Sequence, residues 1–278
     1  MESALEVENL RKHFKSGVRG IVVQALDGLS FSVERGSVFG LLGSNGAGKS
    51  TAIKIIMGLL RANSGEVRIF GQKISNAVKR RVGYLPESPN FYKFLSSYEL
   101  VLFYARLCGL DAKSAAEASK KTLELVGLGD AMQRRLSGYS KGMLQRAGLA
   151  QAIVHNPDLV ILDEPSSGLD PLGMADMSDM VRRLKDAGKT ILLCSHQMSE
   201  VEALCDNILI LNRGKVYAEG RLGELLKKKD SKVLEISGIS QEAAAEAVAK
   251  AGGKVERAGD AKISLEEYFR AALERDLK

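Results

Sequence analysis

The sequence lacks the features that mark secreted or membrane-spanning chains. Its 278 residues include three cysteines, without paired spacing: Cys108, Cys194 and Cys205. A disulfide framework and a cysteine zinc site are therefore not expected, and a reducing, cytosolic compartment is predicted. No apolar run approaches the ~18–20 residues of a membrane span, and the acidic start Met1-Glu2-Ser3 is not typical of a signal peptide. We expect a soluble, intracellular chain that can still act at a membrane surface.

A strong charge of one sign is also missing. Forty basic residues oppose 34 acidic ones, which leaves a net charge of +6 scattered along the chain. This excess is too small to indicate a nucleic-acid partner, and no nucleic acid is expected. Low-complexity tracts and internal repeats are absent too. The hydrophobic fraction of 45% is enough for a sizeable core, and the length predicts one large domain or two unequal ones.

Three almost unbroken apolar segments predict strands that are buried on both faces: Val38–Leu42, Leu159–Leu162 and Thr190–Cys194. Such strands are typical of parallel sheets covered by helices. Shorter alternating segments predict further strands between Leu5 and Glu34, whereas helical spacing dominates from about Ser96 to Asn156. The sequence therefore predicts an α/β fold with a helical block inserted between two strands of its sheet.

The C-terminal segment is predicted to form a small α+β appendage over 228–278. The apolar pattern restarts on a smaller scale after three consecutive lysines. We expect two strands, a helix and a final helix opened by a capping box, over the ranges Val233–Ile236, Lys254–Arg257, Gln241–Ala251 and Ser264–Glu267.

The strongest local signal is a phosphate-binding loop between a buried strand and a helix. It fits the pattern G-x-x-x-x-G-K-[ST] and consists of Gly43, Ser44, Asn45, Gly46, Ala47, Gly48, Lys49, Ser50 and Thr51. Glycines let backbone N–H groups converge on phosphate oxygens, and the following helix adds positive potential at its N-terminus. Lys49 is predicted to reach the β- and γ-phosphates, and the Ser50 hydroxyl to bind Mg²⁺.

A pair of carboxylates follows the second buried strand. Asp163 and Glu164 sit where a strand end meets a phosphate loop, so Asp163 is predicted to hold Mg²⁺ and Glu164 to deprotonate an attacking water. Without the phosphate loop, Asp-Glu-Pro would be an ordinary way to leave a strand.

A third motif resembles the signature of ABC ATPases. It runs through Tyr139, Ser140, Lys141, Gly142, Met143, Leu144, Gln145 and Arg146. A second register beginning at Leu136 competes with it, but Gln145-Arg146 and the spacing from Ser140 to Asp163 favour the later one. The family usually has Gly and Gln where this chain has Lys141 and Met143. Ser140 and Gly142 still precede a helix and could meet a γ-phosphate.

The resemblance covers about residues 4–225 and implies roles for four further residues. Asp170 matches the loop that crosses a dimer interface, and His196 matches the switch histidine that contacts the γ-phosphate. Phe14 stands where an aromatic ring stacks on adenine. Glu87 replaces a glutamine that touches Mg²⁺ and the attacking water. The implied fold is a P-loop NTPase core with antiparallel N-terminal strands, as an ATPase domain over 1–227 with its helical subdomain at about 88–156.

The resemblance also implies an activity and partners. Two subunits, identical or different, would pair head to tail around ATP and Mg²⁺ and drive separate integral membrane subunits. The chain would then be cytoplasmic and peripheral on the inner face of the cell membrane. The segments Gly83–Glu87, Tyr139–Met143 and Ser264–Phe269 resemble the ABC-2 exporter branch. An aromatic-rich loop at Pro89–Phe94 predicts a partner surface, with a locally packed loop as its alternative.

Two other classes stay open from sequence alone. An ABC ATPase that acts on nucleic acid or the ribosome would share every motif, although such proteins usually carry long coiled coils or paired cassettes. A P-loop kinase or GTPase would explain the phosphate loop, but it leaves the signature, Asp170 and His196 without a role.

Overall fold

The computed structural model describes residues 2–16, 21–237 and 254–262. Its strands in chain order are β1 Ser3–Ser16, β2 Ile21–Glu34, β3 Val38–Leu42, β4 Ser64–Ile69, β5 Gln72–Lys73, β6 Val82–Leu85, β7 Leu159–Asp163, β8 Thr190–Ser195, β9 Asn207–Asn212, β10 Lys215–Arg221, β11 Lys227–Ser237 and β12 Lys254–Lys262. Its helices are α1 Lys49–Ile56, α2 Asn76–Lys79, α3 Ser97–Leu107, α4 Ala112–Leu125, α5 Lys141–Ile153, α6 Pro171–Asp186, α7 Met198–Leu204 and α8 Leu222–Leu225.

A six-stranded sheet with the order β10-β9-β3-β8-β7-β6 forms the centre of the described chain. The strands from β9 to β6 pair in parallel. Every residue of β3, β7 and β8 is buried, as expected of apolar strands covered on both faces. The predicted α/β fold is confirmed.

The register of this sheet brings three strand ends together. Leu42 pairs with Ser195, and Asp163 pairs with Cys194. The segments that follow β3, β7 and β8 therefore leave the same edge side by side, the place where parallel sheets bind ligands.

A smaller antiparallel sheet, with the order β2-β1-β4-β5, packs beside the central one. Its long strands β1 and β2 contain the alternating segments predicted near the N-terminus. The Phe31 ring stacks on Phe39 of β3 with 5.2 Å between centroids, and one core cluster joins both sheets to α1. The smaller sheet thus shares a core with the phosphate-loop helix.

The inserted helical block contains α3, α4 and α5. A reciprocal capping box at Ser96 and Glu99 begins α3, and Asp111 caps α4 by accepting hydrogen bonds from two backbone N–H groups. Gly148 of α5 packs closely on Leu85, since a Cβ there would lie 2.6 Å from Leu85 Cδ1. The block is therefore fixed to the strand that precedes Glu87.

The chain divides into two compact units, Met1–Gly220 and Arg221–Lys278, whereas the sequence predicts a boundary after residue 227. In the second unit, β11 and β12 pair antiparallel and contain both strands predicted there. The helices predicted over Gln241–Ala251 and from Ser264 lie outside the described residues. None of the helices in the described ranges has the length and apolarity needed to cross a membrane.

Candidate functional site

The ends of β3, β7 and β8 open into a cleft of about 440 Å³. Residues from five separate parts of the chain line it, namely Val23, Gln24, Ala25, Ser44, Asn45, Gly46, Gly48, Lys49, Ser50, Thr51, Glu87, Glu164, Ser167 and His196. The structure thus brings the predicted phosphate loop, Glu164, His196 and Glu87 to one place.

The phosphate loop depends on glycine at two of its positions. Gly46 and Gly48 have φ angles of 83° and 113°, which side chains of L-residues rarely adopt. A Cβ on Gly48 would also lie 2.5 Å from the carbonyl oxygen of Ala25. The loop is therefore held tightly against β2, while Ser44, Asn45, Gly46 and Ser50 stay exposed toward the cleft.

Lys49 brings a buried positive charge to the base of the cleft. Its Nζ donates a hydrogen bond of 2.6 Å to the Gly43 carbonyl and lies 3.3 Å from Glu164 Oε1. The residue is only 6% exposed, so solvent screens this charge poorly. The ammonium group can therefore interact strongly with an anion that enters the loop.

Glu164 is held from several directions in an uncommon backbone conformation. Its φ is 53°, and its N–H donates to the Cys194 carbonyl at 2.8 Å. Its Oε2 lies 2.6 Å from His196 Nδ1. A carboxylate can only accept hydrogen bonds, so this contact places a proton on Nδ1. Unusual backbone angles of this kind persist where the surroundings enforce them, often at functional sites.

Asp163 has the environment expected of a metal ligand. The residue is 5% exposed, and its Oδ1 finds no hydrogen-bond donor among the described residues. Burial, reinforced by the charges of Glu164 and Glu87, raises its pKa to about 6. A buried carboxylate oxygen without a donor is suited to binding a cation.

The donor set fits Mg²⁺. No cluster of three acidic, histidine or cysteine side chains that could hold a metal occurs in the described ranges. Mg²⁺ needs no such cluster, because it is commonly held by one or two carboxylates together with substrate phosphates and water. Asp163, the Ser50 hydroxyl and Glu87 are the residues available for this role.

Glu87 connects the cleft to the helical block. Its backbone carbonyl accepts a hydrogen bond of 3.1 Å from Gln145 Nε2 on α5, and Gln145 is almost completely buried. Glu87, two residues after the end of β6, is therefore tied to the helix that begins with the signature motif.

The signature residues face a second cleft, of about 540 Å³. Ser140, Lys141, Gly142, Met143 and Asp170 all line it, whereas none of them lines the first cleft. Ser140 caps α5 through a hydrogen bond from Met143 N, and Asp170 caps α6 through one from Gly173 N. The competing register at Leu136 forms a short 3₁₀ turn instead.

One turn separates the two clefts. Ser167 lines the first cleft, and the next residues, Gly168, Leu169 and Asp170, line the second. Within one chain, the signature motif and the phosphate loop therefore face different spaces.

Phe14 lies next to the first cleft. It is not among the described residues that line that cleft. It pairs with Val23, which does line the cleft, and its side chain is 40% exposed. Lys12 Nζ lies 5.1 Å from the ring centroid. The exposed edge formed by Phe14 and Val23 offers an apolar surface beside the phosphate loop.

Sequence reasoning missed Glu200, a buried carboxylate on α7. Its Oε1 accepts a hydrogen bond from Ser166 Oγ and its Oε2 accepts one from Ser195 Oγ. Burial raises the pKa of this carboxyl group. Nothing in the sequence singles it out, because its partners lie 34 and 5 residues away.

Residues 26–167 match the family model for the ABC transporter. An uncharacterised ABC transporter ATP-binding protein of Nostoc sp. is 42% identical over 233 residues, which cover 82% of this chain and 70% of the relative. The daunorubicin/doxorubicin resistance ATP-binding protein of Streptomyces peucetius is 39% identical, with 84% and 70% covered. The bacitracin transport ATP-binding protein of Bacillus licheniformis is 39% identical, with 76% and 69% covered.

Solved structures agree with these relatives. An ATP-binding subunit of an ABC transporter superposes with a TM-score of 0.75 at 27% identity, covering 98% of this chain and all of that one. A dimeric ATP-binding cassette solved with ADP and phosphate superposes with a TM-score of 0.72, covering 78% of this chain and 98% of that one. Its identity is 22%, so it supports the fold alone.

Proposed function

Because this chain belongs to the ABC transporter ATP-binding family, and is thus an ABC ATPase, we propose that it pairs around ATP and drives separate membrane subunits. One observation carries the proposal. The phosphate loop, Glu164 and His196 converge on one cleft, while the signature residues line another.

Nucleotide binding is assigned to the first cleft. The loop from Gly43 to Thr51 would surround the phosphates with its backbone N–H groups, and Lys49 would contact the β- and γ-phosphates. Phe14 would stack on the adenine. Mg²⁺, held by Ser50, Asp163 and Glu87, would neutralise part of the phosphate charge when bound.

Glu164 is proposed as the general base. The contacts with His196 Nδ1 and Lys49 Nζ hold the carboxylate in place. It could then accept the proton of a water that attacks the γ-phosphate. His196 would contact the γ-phosphate with the ring edge that does not face Glu164, since its side chain is 49% exposed.

A second copy or a related chain would complete the site. The set Ser140, Lys141, Gly142, Met143 and Asp170 would cover the nucleotide of the opposite subunit. In one chain these residues border a different cleft, so hydrolysis should depend on pairing. Interfaces built this way are two-fold symmetric, and two such sites form together.

The surface for the membrane subunit is proposed at the aromatic loop. Tyr92 and Phe94 are 71% and 67% exposed, and their rings lie 5.6 Å apart. Exposed apolar patches commonly mark partner surfaces. The loop follows Glu87 directly, so a partner bound there would be connected to the cleft through a few residues. The chain would then act at the cytoplasmic face of a membrane.

Export is the proposed direction of transport. It rests on the exporter-like segments of the sequence and on relatives named for bacitracin transport and for daunorubicin/doxorubicin resistance.

Co-purification from detergent-solubilised membranes tests the transport role. We expect a tagged chain to retain a multi-span membrane protein in stoichiometric amount, and the Tyr92→Ala/Phe94→Ala variant to lose it. Leu59→Ala is the matched control, since Leu59 is 65% exposed but lies after α1, away from the aromatic loop. Capture of a soluble or nucleic-acid partner alone would overturn the transport role and leave the ATPase assignment intact.

A further inference from the structure

Glu200 is a buried carboxylate that the mechanism above does not use. It lies in α7, is 5% exposed, and lines neither cleft. A buried carboxylate is costly to desolvate, and an apolar side chain of similar size would usually be tolerated better. Its presence therefore needs a reason beyond packing.

Both oxygens of this carboxylate are occupied by serine hydroxyls. Ser166 Oγ donates to Oε1 at 2.5 Å, and Ser195 Oγ donates to Oε2 at 2.7 Å. Ser195 Oγ also accepts the backbone N–H of Gln197 at 3.0 Å. Ser166 and Ser195 are each 1% exposed, so water does not compete for these bonds.

The two serines belong to the two segments that carry the proposed catalytic pair. Ser166 is two residues after Glu164, and Ser195 immediately precedes His196. Glu164 and His196 are themselves 2.6 Å apart. The Glu200 carboxylate thus joins the turn after β7 to the end of β8, directly behind the pair.

These segments leave the sheet at this point, because β7 ends at Asp163 and β8 ends at Ser195. The backbone of Glu164 adopts a φ of 53°, and His196 follows the last residue of β8 with a half-exposed side chain. Shifts of about 1 Å in catalytic groups can lower rates about 10²-fold.

We propose that Glu200 is a positioning residue, which sets the placement of Glu164 relative to His196 through Ser166 and Ser195. The expected effect on the rate of ATP hydrolysis rests on the proposed function. The expected effect on the placement of Glu164 and His196 does not.

Steady-state kinetics provide the first test. In Glu200→Ala we expect kcat for ATP hydrolysis to fall about 10–100-fold, with KM and the affinity for a fluorescent ATP analogue within about twofold. Glu200→Gln keeps the shape of the side chain and one oxygen that can accept a hydrogen bond, so it should retain more activity than Glu200→Ala. Val201→Ala is the matched control. Val201 is fully buried on the same helix, so this variant should melt earlier yet keep its kcat while folded.

A double-mutant comparison tests the route through the serines. In a Ser166→Ala/Ser195→Ala background, adding Glu200→Ala should cause little further loss of kcat. The proposal would be overturned if Glu200→Ala lowered kcat in the double-serine background as much as it does in the wild-type background. It would also be overturned if folded Glu200→Ala kept the kcat of wild type.

A measurement that needs no turnover separates this inference from the proposed function. The chain has three histidines, so the ¹⁵N resonances of the His196 ring can be assigned with His→Gln variants. We expect the Nδ1 resonance to shift in Glu200→Ala and to stay in place in Val201→Ala. A resonance that is unmoved by Glu200→Ala refutes positioning. A shifted resonance in a chain that hydrolyses no ATP would refute the proposed function alone.

Discussion

At the scale of single residues, Asp163 and Glu164 are neighbours in different surroundings. Glu164 has a cation and an imidazole within 3.3 Å. Asp163 is also buried, but its Oδ1 has no donor within the described part of the chain, and its pKa is raised to about 6. These different surroundings suit the two roles proposed for the adjacent carboxylates, proton transfer for Glu164 and cation binding for Asp163.

Glu164→Gln is expected to abolish turnover while leaving ATP binding nearly unchanged. The amide keeps the size of the side chain but cannot accept a proton, so the rate should fall about 10²–10⁴-fold. Equilibrium binding of a fluorescent ATP analogue and a steady-state phosphate assay measure the two effects. Lys49→Ala is the contrasting variant, because it should weaken MgATP binding itself. Retained turnover in Glu164→Gln would refute the assignment of the base.

Asp163→Asn is expected to stabilise the nucleotide-free protein at pH 7.5. The folded carboxyl holds its proton up to about pH 6, against an ordinary pKa of 3.8. Between these values the folded state binds more protons than the unfolded state, so wild-type stability falls as the pH rises. The asparagine side chain has no charge to bury, so the variant avoids this loss of stability. The difference in stability between the variant and wild type should shrink toward pH 4.

Thermal melts at pH 5.0 and 7.5 in a metal chelator test this, with ATP hydrolysis measured in parallel. We expect Asp163→Asn to melt higher than wild type at pH 7.5, to lose much of that lead at pH 5.0, and to hydrolyse ATP poorly. An equal lead at both pH values would show that the charge of Asp163 is not the cause.

At the scale of elements, the approach of α5 to β6 determines where Glu87 lies. Gly83 of β6 faces the helix backbone so closely that a Cβ would lie 2.2 Å from the Ala152 carbonyl oxygen. A backbone atom cannot rotate away as a side chain can. The strand that leads to Glu87 is therefore seated directly on the helix that begins with the signature motif.

Gly83→Ala is expected to destabilise the protein by about 1–3 kcal/mol, the usual range for overpacking. Gly223→Ala is the matched control, because no described heavy atom lies within 4 Å of a Cβ there, and alanine favours the helical conformation. Chemical denaturation of both variants measures the difference. Equal stability of Gly83→Ala and wild type would mean that α5 moves away from β6 at little cost.

Most of the central elements could be predicted because their patterns are local. Leu159–Leu162 is apolar at every position, and the structure buries all of β7. The position of the loop from Gly43 to Gly48, between a buried strand and a helix, was likewise predicted from its own residues. Boundaries were less accurate: the strand predicted over Lys254–Arg257 runs on to Lys262, because pairing with β11 extends it.

Features made by distant residues could not be predicted. The hydrogen bonds of the Glu200 carboxylate need Ser166 and Ser195. The hydrogen bond from Gln145 to the Glu87 carbonyl joins two residues that are 58 positions apart. The amino-acid sequence of a single chain carries no sign of either pairing. A site shared between two chains was expected from the family resemblance, and the structure adds that the two sets of residues face separate clefts.

At the scale of the whole molecule, the arrangement predicts that two defective chains can restore one another. Lys49→Ala damages the phosphate-loop side of a site. Gly142→Asp damages the signature side, because a carboxylate there would repel the γ-phosphate while suiting the first turn of α5. A mixed pair would contain one site built entirely from undamaged parts.

Mixing the two purified variants in equal amounts should therefore recover about a quarter of the wild-type ATPase rate, given random pairing and independent sites. Each variant measured alone is the control and should be nearly inactive. No recovery on mixing would contradict a site shared between chains.

The turn at Ser167–Asp170, which separates the two clefts, has a consequence for inheritance. Mutations on its two sides would behave as two complementation groups within a single gene. Alleles that damage opposite sides would rescue one another when they are expressed together, whereas alleles on the same side would not. A copy defective on one side would also sequester normal chains in mixed pairs, so its phenotype would be partly dominant.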